Sequence, residues 1–330
     1  MRLTLLLLAL LLGCAPRIEE APPPAGAAAA VTEAGFVASD GRLLPLRRWL
    51  PDGPVRAVLL GLHGFNDYSR AFEGPAASWA RDGIATYAYD QRGFGEAPGR
   101  GFWAGQAALA ADAAAASRIL RRRHPGVPLY LLGESMGGAV AIVAMGGESG
   151  TPIPDVDGVI LSAPAVWGRA TMGLVPRLGL FAGARLAPAL TLTGRGLGII
   201  ASDNVAMLRA LGRDPLVIKE TRVDTVYGLV DLMDAALAAA PGLDVPLLLM
   251  YGAHDQIVPL EAIRRFAAGL PAAPRFSRRL AWYGNGYHML LRDLEAPWVE
   301  ADVESWLRDP RAALPSGADR GAAMHFGLRR

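Results

Sequence analysis

The stretch "PLYLLGESMGGAVAIVAMGG" (128–147) decides the fold. An apolar run stops at Gly133, one serine follows at Ser135, and the chain resumes with small and apolar residues from Gly137. The first run reads as a strand buried on both faces, and the second as a helix. Gly133-Glu134-Ser135-Met136-Gly137 fits the pattern G-x-S-x-G. A serine on a tight strand-to-helix turn is lifted clear of the sheet with its Oγ exposed, and the crowded turn demands small neighbours. By itself the pattern is common in a chain with 39 glycines. A nucleophilic serine also needs a base, an acid to orient that base, and donors for an oxyanion.

Around this turn the chain alternates. Short apolar runs bounded by Gly, Pro and Asp occur at 55–64, 83–93, 128–135, 157–164, 245–255 and 278–284. Their continuous apolarity suits a parallel sheet covered on both faces. Helical stretches separate them. One is 105–124, which stops at Pro125; another is 259–270, with proline at its start and Gly269 near its end. The expected fold class is α/β, a mostly parallel central sheet flanked by helices. Residues 166–240 break the alternation. They are rich in Leu, Ala and Gly and read as a helical cap inserted after the strand near residue 160.

The chain has five histidines, His63, His124, His254, His288 and His325. In sheets with this turn the order is serine, acid, histidine, so His63 and His124 come too early. His325 is in the tail, and His254 directly precedes the best acid. His288, in the loop "YGNGYHMLL" after the last strand, is the expected base. Asp255 ends the strand run 245–255 and is the expected acid. Asp244 lies before that strand, and Asp231 and Asp234 fall on the cap or its connecting helix. The oxyanion donors should be the backbone N–H of Met136, at a helix start, and of Phe65, in the loop after the run 55–64. His63 is read as a brace for that loop.

"HGFND", "YDQRGFGEAPG", "LLGESMGG", "GAHDQIVP" and "GYHML" together resemble the monoacylglycerol lipase and lysophospholipase branch of the α/β-hydrolases, across 35–308. The resemblance implies the α/β-hydrolase fold and a triad of Ser135, Asp255 and His288. It implies cleavage of carboxylic esters of lipid-like substrates, monoacylglycerol or lysophospholipid, with no cofactor and no metal. Phe65, Asn66 and Asp67 stand where that branch usually has small residues. The same triad would serve a general carboxylesterase or an acyltransferase, and a non-catalytic envelope binding protein could use the same fold. A peptidase would need acidic groups for a substrate amine, whereas residues 166–213 hold six arginines and one acid, Asp203.

Composition sets the outer bounds. Of 330 residues, 52% are apolar and 19% charged, which describes a folded chain. A net charge of +2 gives no reason to expect nucleic acid as a partner. Cys14 is the single cysteine, so no intramolecular disulfide and no cysteine-based metal site can form. It ends "MRLTLLLLALLLGC" (1–14), one positive charge and a short apolar run, too short for a good permanent span. "LLGC" resembles the lipobox of bacterial lipoproteins. That implies residues 1–13 as a signal peptide, lipid on the Cys14 sulfur, and a cell-envelope location facing the periplasm or exterior, on the outer membrane before the inner one. The partners implied are a lipid or small ester substrate and a membrane surface reached through that anchor. Residues 14–34 are rich in Pro and Ala and read as a tether. Residues 309–330 have no clear period and read as a loose tail.

Overall fold

The computed structural model describes residues 28–147 and 152–328. Three two-residue strands, β1 (Ala30–Val31), β2 (Phe36–Val37) and β3 (Leu43–Leu44), form a small antiparallel sheet. The main sheet has seven strands: β4 (Leu46–Trp49), β5 (Ala57–Leu62), β6 (Ile84–Tyr89), β7 (Leu129–Glu134), β8 (Gly158–Ser162), β11 (Leu247–Gly252) and β12 (Arg278–Tyr283). Their order is β12-β11-β8-β7-β5-β6-β4, and every neighbour pair is parallel except β4 with β6. The remaining pair, β9 (Thr191–Leu192) and β10 (Thr221–Arg222), lies in the cap.

Helices cover both faces. Alternate residues of β7 feed two cores, as the period of a strand requires. Leu129 and Leu131 pack with α2 (Gln106–Arg123) and α3 (Met136–Gly146). Tyr130 and Leu132 face the opposite layer, where Trp79 of α1 (Glu73–Arg81) and Trp306 of α8 (Ala296–Arg308) are buried. The cap contributes α4 (Leu174–Leu186), α5 (Val205–Arg213) and α6 (Val223–Ala239), and α7 (Leu260–Gly269) follows β11. Of these, α6 also belongs to the core: Leu232 and Ala236 are fully buried and the helix packs on α3.

The structure departs from the sequence reading at three places. Strand β1 lies inside the stretch read as a tether, because Phe36, fully buried, draws its neighbours into a pairing of Val31 with Phe36 and Ala30 with Val37. Strand β4 has the sequence Leu-Arg-Arg-Trp, too short and charged to stand out, and takes the sheet edge where charge is tolerated. Residues 309–328, read as a loose tail, fold back onto β12. The Trp282 N–H donates to the Ala318 carbonyl (2.8 Å), His325 stacks on Trp282 at 4.3 Å, and Phe326 is buried. Hiding a phenylalanine contributes about 1.5–3 kcal/mol toward holding the segment in place. The signal peptide, Cys14 and most of the tether lie outside the described residues.

Candidate active site

Strand β7 delivers Glu134 at its C-terminal end, and α3 starts at Met136, so Ser135 occupies the turn between them. Its φ of 52° is a conformation that costs a residue with a Cβ roughly 1 kcal/mol or more. Three hydrogen bonds hold it there. The Ser135 N–H donates to the Ser162 carbonyl (2.9 Å), and the Ser135 carbonyl accepts from the N–H groups of Ala139 (3.1 Å) and Ala165 (2.9 Å). Gly137 explains the small neighbour: a Cβ there would collide with the Leu62 carbonyl at the end of β5. The turn therefore packs directly on the strand whose following loop carries Gly64 and Phe65.

Strands β11 and β12 place the other two predicted residues. The His254 N–H donates to the Gly286 carbonyl (2.9 Å) and the Ala253 N–H to the Tyr283 carbonyl (2.9 Å), joining the loops that follow these strands. The His288 Nδ1–H donates to Asp255 Oδ2 at 2.8 Å. Asp255 Oδ1 accepts from the N–H groups of Ile257 (2.8 Å) and Val258 (3.0 Å), and the side chain is fully buried. A carboxylate only accepts, so the proton sits on Nδ1 and Nε2 is left with its lone pair. Ser135 and His288 line one cavity of about 370 Å³, and Gly64 and Phe65 line it too. Trp167, Leu229, Val230, Met233 and Ile257 supply apolar wall.

Met136, as the first residue of α3, has an N–H with no acceptor inside the helix. Phe65 sits where the loop turns; the next residue, Asn66, has a φ of 65°. Asn66 joins this loop to the cap, its Nδ2 donating to Thr221 Oγ1 (2.7 Å) and its carbonyl accepting from the Ile218 N–H (2.9 Å). His63 braces the loop from behind. Its Nε2 accepts from the Gln91 N–H (2.9 Å) and its Nδ1 donates to the Gly64 carbonyl (2.8 Å). Burial lowers its pKa, which keeps the ring neutral.

The sequence reading missed a buried ionic network at the same cavity. Arg292 donates from Nη1 to Asp67 Oδ2 (2.7 Å) and from Nη2 to Glu134 Oε1 (2.8 Å), and all three residues line the cavity. The available signal was a lone Glu134 inside an apolar strand-and-turn. The cap arginines, in contrast, do not wall this cavity. Arg169 pairs with Asp231 and Asp234, and Arg213 lines a larger neighbouring groove of about 920 Å³ that shares Asp67 and Arg292 with the cavity.

Residues 53–295 match the Hydrolase_4 family, described as serine aminopeptidase, S33. The chain is similar to the monoacylglycerol lipase of Mycolicibacterium smegmatis, with 25% identity over 280 residues, covering 84% of this chain and 96% of that protein. It is also similar to the monoglyceride lipase of Homo sapiens, 25% identical over 266 residues, covering 78% and 84%. Among solved structures it resembles a soluble variant of monoglyceride lipase from Saccharomyces cerevisiae in complex with a substrate analog, at a TM-score of 0.70 and 19% identity, over 88% of this chain and 100% of that one. The monoacylglycerol lipase of Paleococcus ferrophilus gives a TM-score of 0.64 at 22% identity, over 81% and 99%. The strand order, the serine turn at the end of β7 and the family match all coincide, and the chain belongs to the Hydrolase_4 family, as an α/β-hydrolase of the monoglyceride-lipase-like branch.

Proposed function

We propose that this hydrolase is a serine esterase that cleaves carboxylic esters of lipid-like substrates, monoacylglycerols or lysophospholipids, through an acyl-enzyme on Ser135. The observation that supports this most is the Asp255–His288 hydrogen bond at 2.8 Å, with His288 and Ser135 both lining a cavity whose walls are largely apolar. His288 Nε2 takes the Ser135 proton as Oγ bonds to the ester carbonyl carbon. The carbonyl oxygen becomes the oxyanion, met by the N–H groups of Phe65 and Met136. His288 then gives its proton to the leaving alkoxide, and the ester C–O bond breaks. Water repeats the sequence on the acyl-enzyme and frees the fatty acid. An acyl chain suits the apolar walls.

The family's description favours a second reading, peptide hydrolysis at a free amino terminus. Such a site needs a carboxylate available to the amine. Asp67 and Glu134 line the cavity, but Arg292 is ion-paired with both and offsets their charge, which supports the ester reading.

The protein's place is part of the proposal. Lipid on Cys14 would hold it to an envelope membrane, and the mass of the membrane-extracted chain reads that modification. The cap supports the same setting: Leu174, Val175, Leu178, Phe181, Leu186 and Leu190 are exposed on it, and no acidic residue occurs between Ala170 and Ser202. Exposed apolar side chains, with Arg177 and Arg195 exposed in the same stretch of sequence, suit an anionic bilayer.

The test is fluorophosphonate labelling located by peptide mass spectrometry, followed by a panel of monoacylglycerols, lysophospholipids, short-chain esters and aminoacyl anilides. The expected result is label on Ser135 and turnover of the lipid esters, abolished in a folded Ser135→Ala variant. Label on another serine, or full turnover by Ser135→Ala, would sink the mechanism.

A further inference from the structure

We infer that Arg292 is a positioning residue for the reaction, one that locks the oxyanion loop to the nucleophile turn through a two-pronged ion pair. The inference rests on the ester-hydrolase reading and adds a part to it. Asp67 lies two residues after Phe65, Glu134 immediately precedes Ser135, and Arg292 lies four residues after His288. One guanidinium therefore contacts the loop that offers the first oxyanion donor and the turn that offers the nucleophile and the second donor. It approaches from the segment that carries the base.

The network is buried. The side chains of Arg292, Asp67 and Glu134 are 10%, 8% and 2% exposed. Burying three charges is costly, and an apolar trio of similar volume would serve packing at least as well. What an apolar trio would not supply is direction. The planar fork fixes the spacing of its two carboxylates to within hydrogen-bond tolerance, at 2.7 and 2.8 Å. Arg292 is itself held: its N–H donates to the Met289 carbonyl (2.7 Å) and its carbonyl accepts from Asn204 Nδ2 (3.0 Å). Burial works against its charge, but Glu134 and Asp67 outweigh that and its pKa is raised. Chemistry also asks for a cation here. Two uncompensated carboxylates beside an oxyanion would oppose the charge that develops in the transition state.

Removing Arg292 alone would strand two buried carboxylates and endanger the fold, so the decisive variant neutralises the whole network: Asp67→Asn, Glu134→Gln and Arg292→Met together. The experiment compares the full chain, this triple variant and Arg292→Lys by thermal midpoint, by kcat and KM on p-nitrophenyl butyrate, and by the rate of fluorophosphonate labelling. The triple variant should fold, because no buried charge is left unpaired, with a midpoint lowered only by its two buried amides. Its kcat and its labelling rate should fall together by at least about tenfold, with KM within about twofold, as expected for lost transition-state geometry. Arg292→Lys keeps the charge without the fork and should fall between the two. A folded triple variant with the original kcat and labelling rate would overturn the positioning role. If the unmodified chain neither labels nor turns over esters, the hydrolase reading fails instead, and the two failures are distinct.

Discussion

Asp255 has both carboxylate oxygens engaged, and that determines what its amide would do. Oδ1 accepts two backbone N–H groups, so in Asp255→Asn the amide oxygen must stay on that side. The NH₂ group then meets His288 and donates to Nδ1. The imidazole proton moves to Nε2, which under the proposed mechanism could no longer take the Ser135 proton. Activity should drop by about 10⁴-fold in kcat, the size of loss seen when a triad histidine is held in the wrong tautomer. The thermal midpoint should move little. Steady-state kinetics on a purified, folded variant checks this, and retention of a tenth of the activity would refute it. The three residues of this argument were legible in the sequence, because strand ends, chain order and the glycine-flanked turn all point to the same positions. His63 was legible as a brace for the same reason, coming before the serine. The Arg292 network was not legible. Its partners lie 225 and 158 residues away, and no local pattern reports a pairing at that range.

Among the elements, the buried strands were the most readable. The predominantly apolar runs became β5, β6, β7, β8 and β11 at nearly the positions their composition implied, since both faces of these strands are covered. The cap's join to the loop that carries His288 was not readable, because it is made by short polar side chains and backbone groups. Ser202 Oγ donates to Asp293 Oδ1 (2.6 Å), the Tyr287 N–H donates to Asp293 Oδ2 (2.8 Å), and the Met289 N–H donates to the Ala201 carbonyl (3.1 Å). Asp293 thus ties Ser202, midway along the cap, to the residue next to His288. Burial pushes its pKa up to about 6, from an ordinary 3.8, against the two hydrogen bonds that lower it. A carboxyl whose folded pKa is raised contributes stability that is fully present below its unfolded pKa and is lost as pH rises through about 6. Asp293→Asn stays neutral throughout, with its oxygen able to accept from Tyr287 and its NH₂ able to donate to Ser202. The thermal midpoint of the variant should therefore gain on that of the original chain as pH is raised from 4 to 7. Parallel curves over that range would show that Asp293 is not buried as a neutral acid.

For the whole molecule, the question is where so apolar a cap can rest. The insertion itself was legible as a break in the alternation of strands and helices, but its surface was not, since composition cannot say which leucines point outward. All ten residues from Thr191 to Ile200 are exposed, among them Leu192, Leu197, Ile199 and Ile200. Leu178 and Phe181 of α4 add to the exposed apolar side chains of the cap. No described helix is long and apolar enough to cross a membrane. A surface contact is one way for these side chains to meet lipid. Each leucine that enters hydrocarbon would contribute up to about 2 kcal/mol, and each arginine beside an anionic headgroup about 1 kcal/mol. The cap should then bind bilayers without help from the proposed anchor. In a Cys14→Ser background, the chain should cosediment with vesicles containing phosphatidylserine, and less with neutral phosphatidylcholine vesicles. Leu178→Asp with Phe181→Asp should abolish the binding while leaving kcat on a soluble short-chain ester intact, because neither residue lines the cavity around Ser135. Equal cosedimentation of the variant and its parent would rule the cap out as the membrane-facing surface and leave Cys14 as the sole proposed means of attachment.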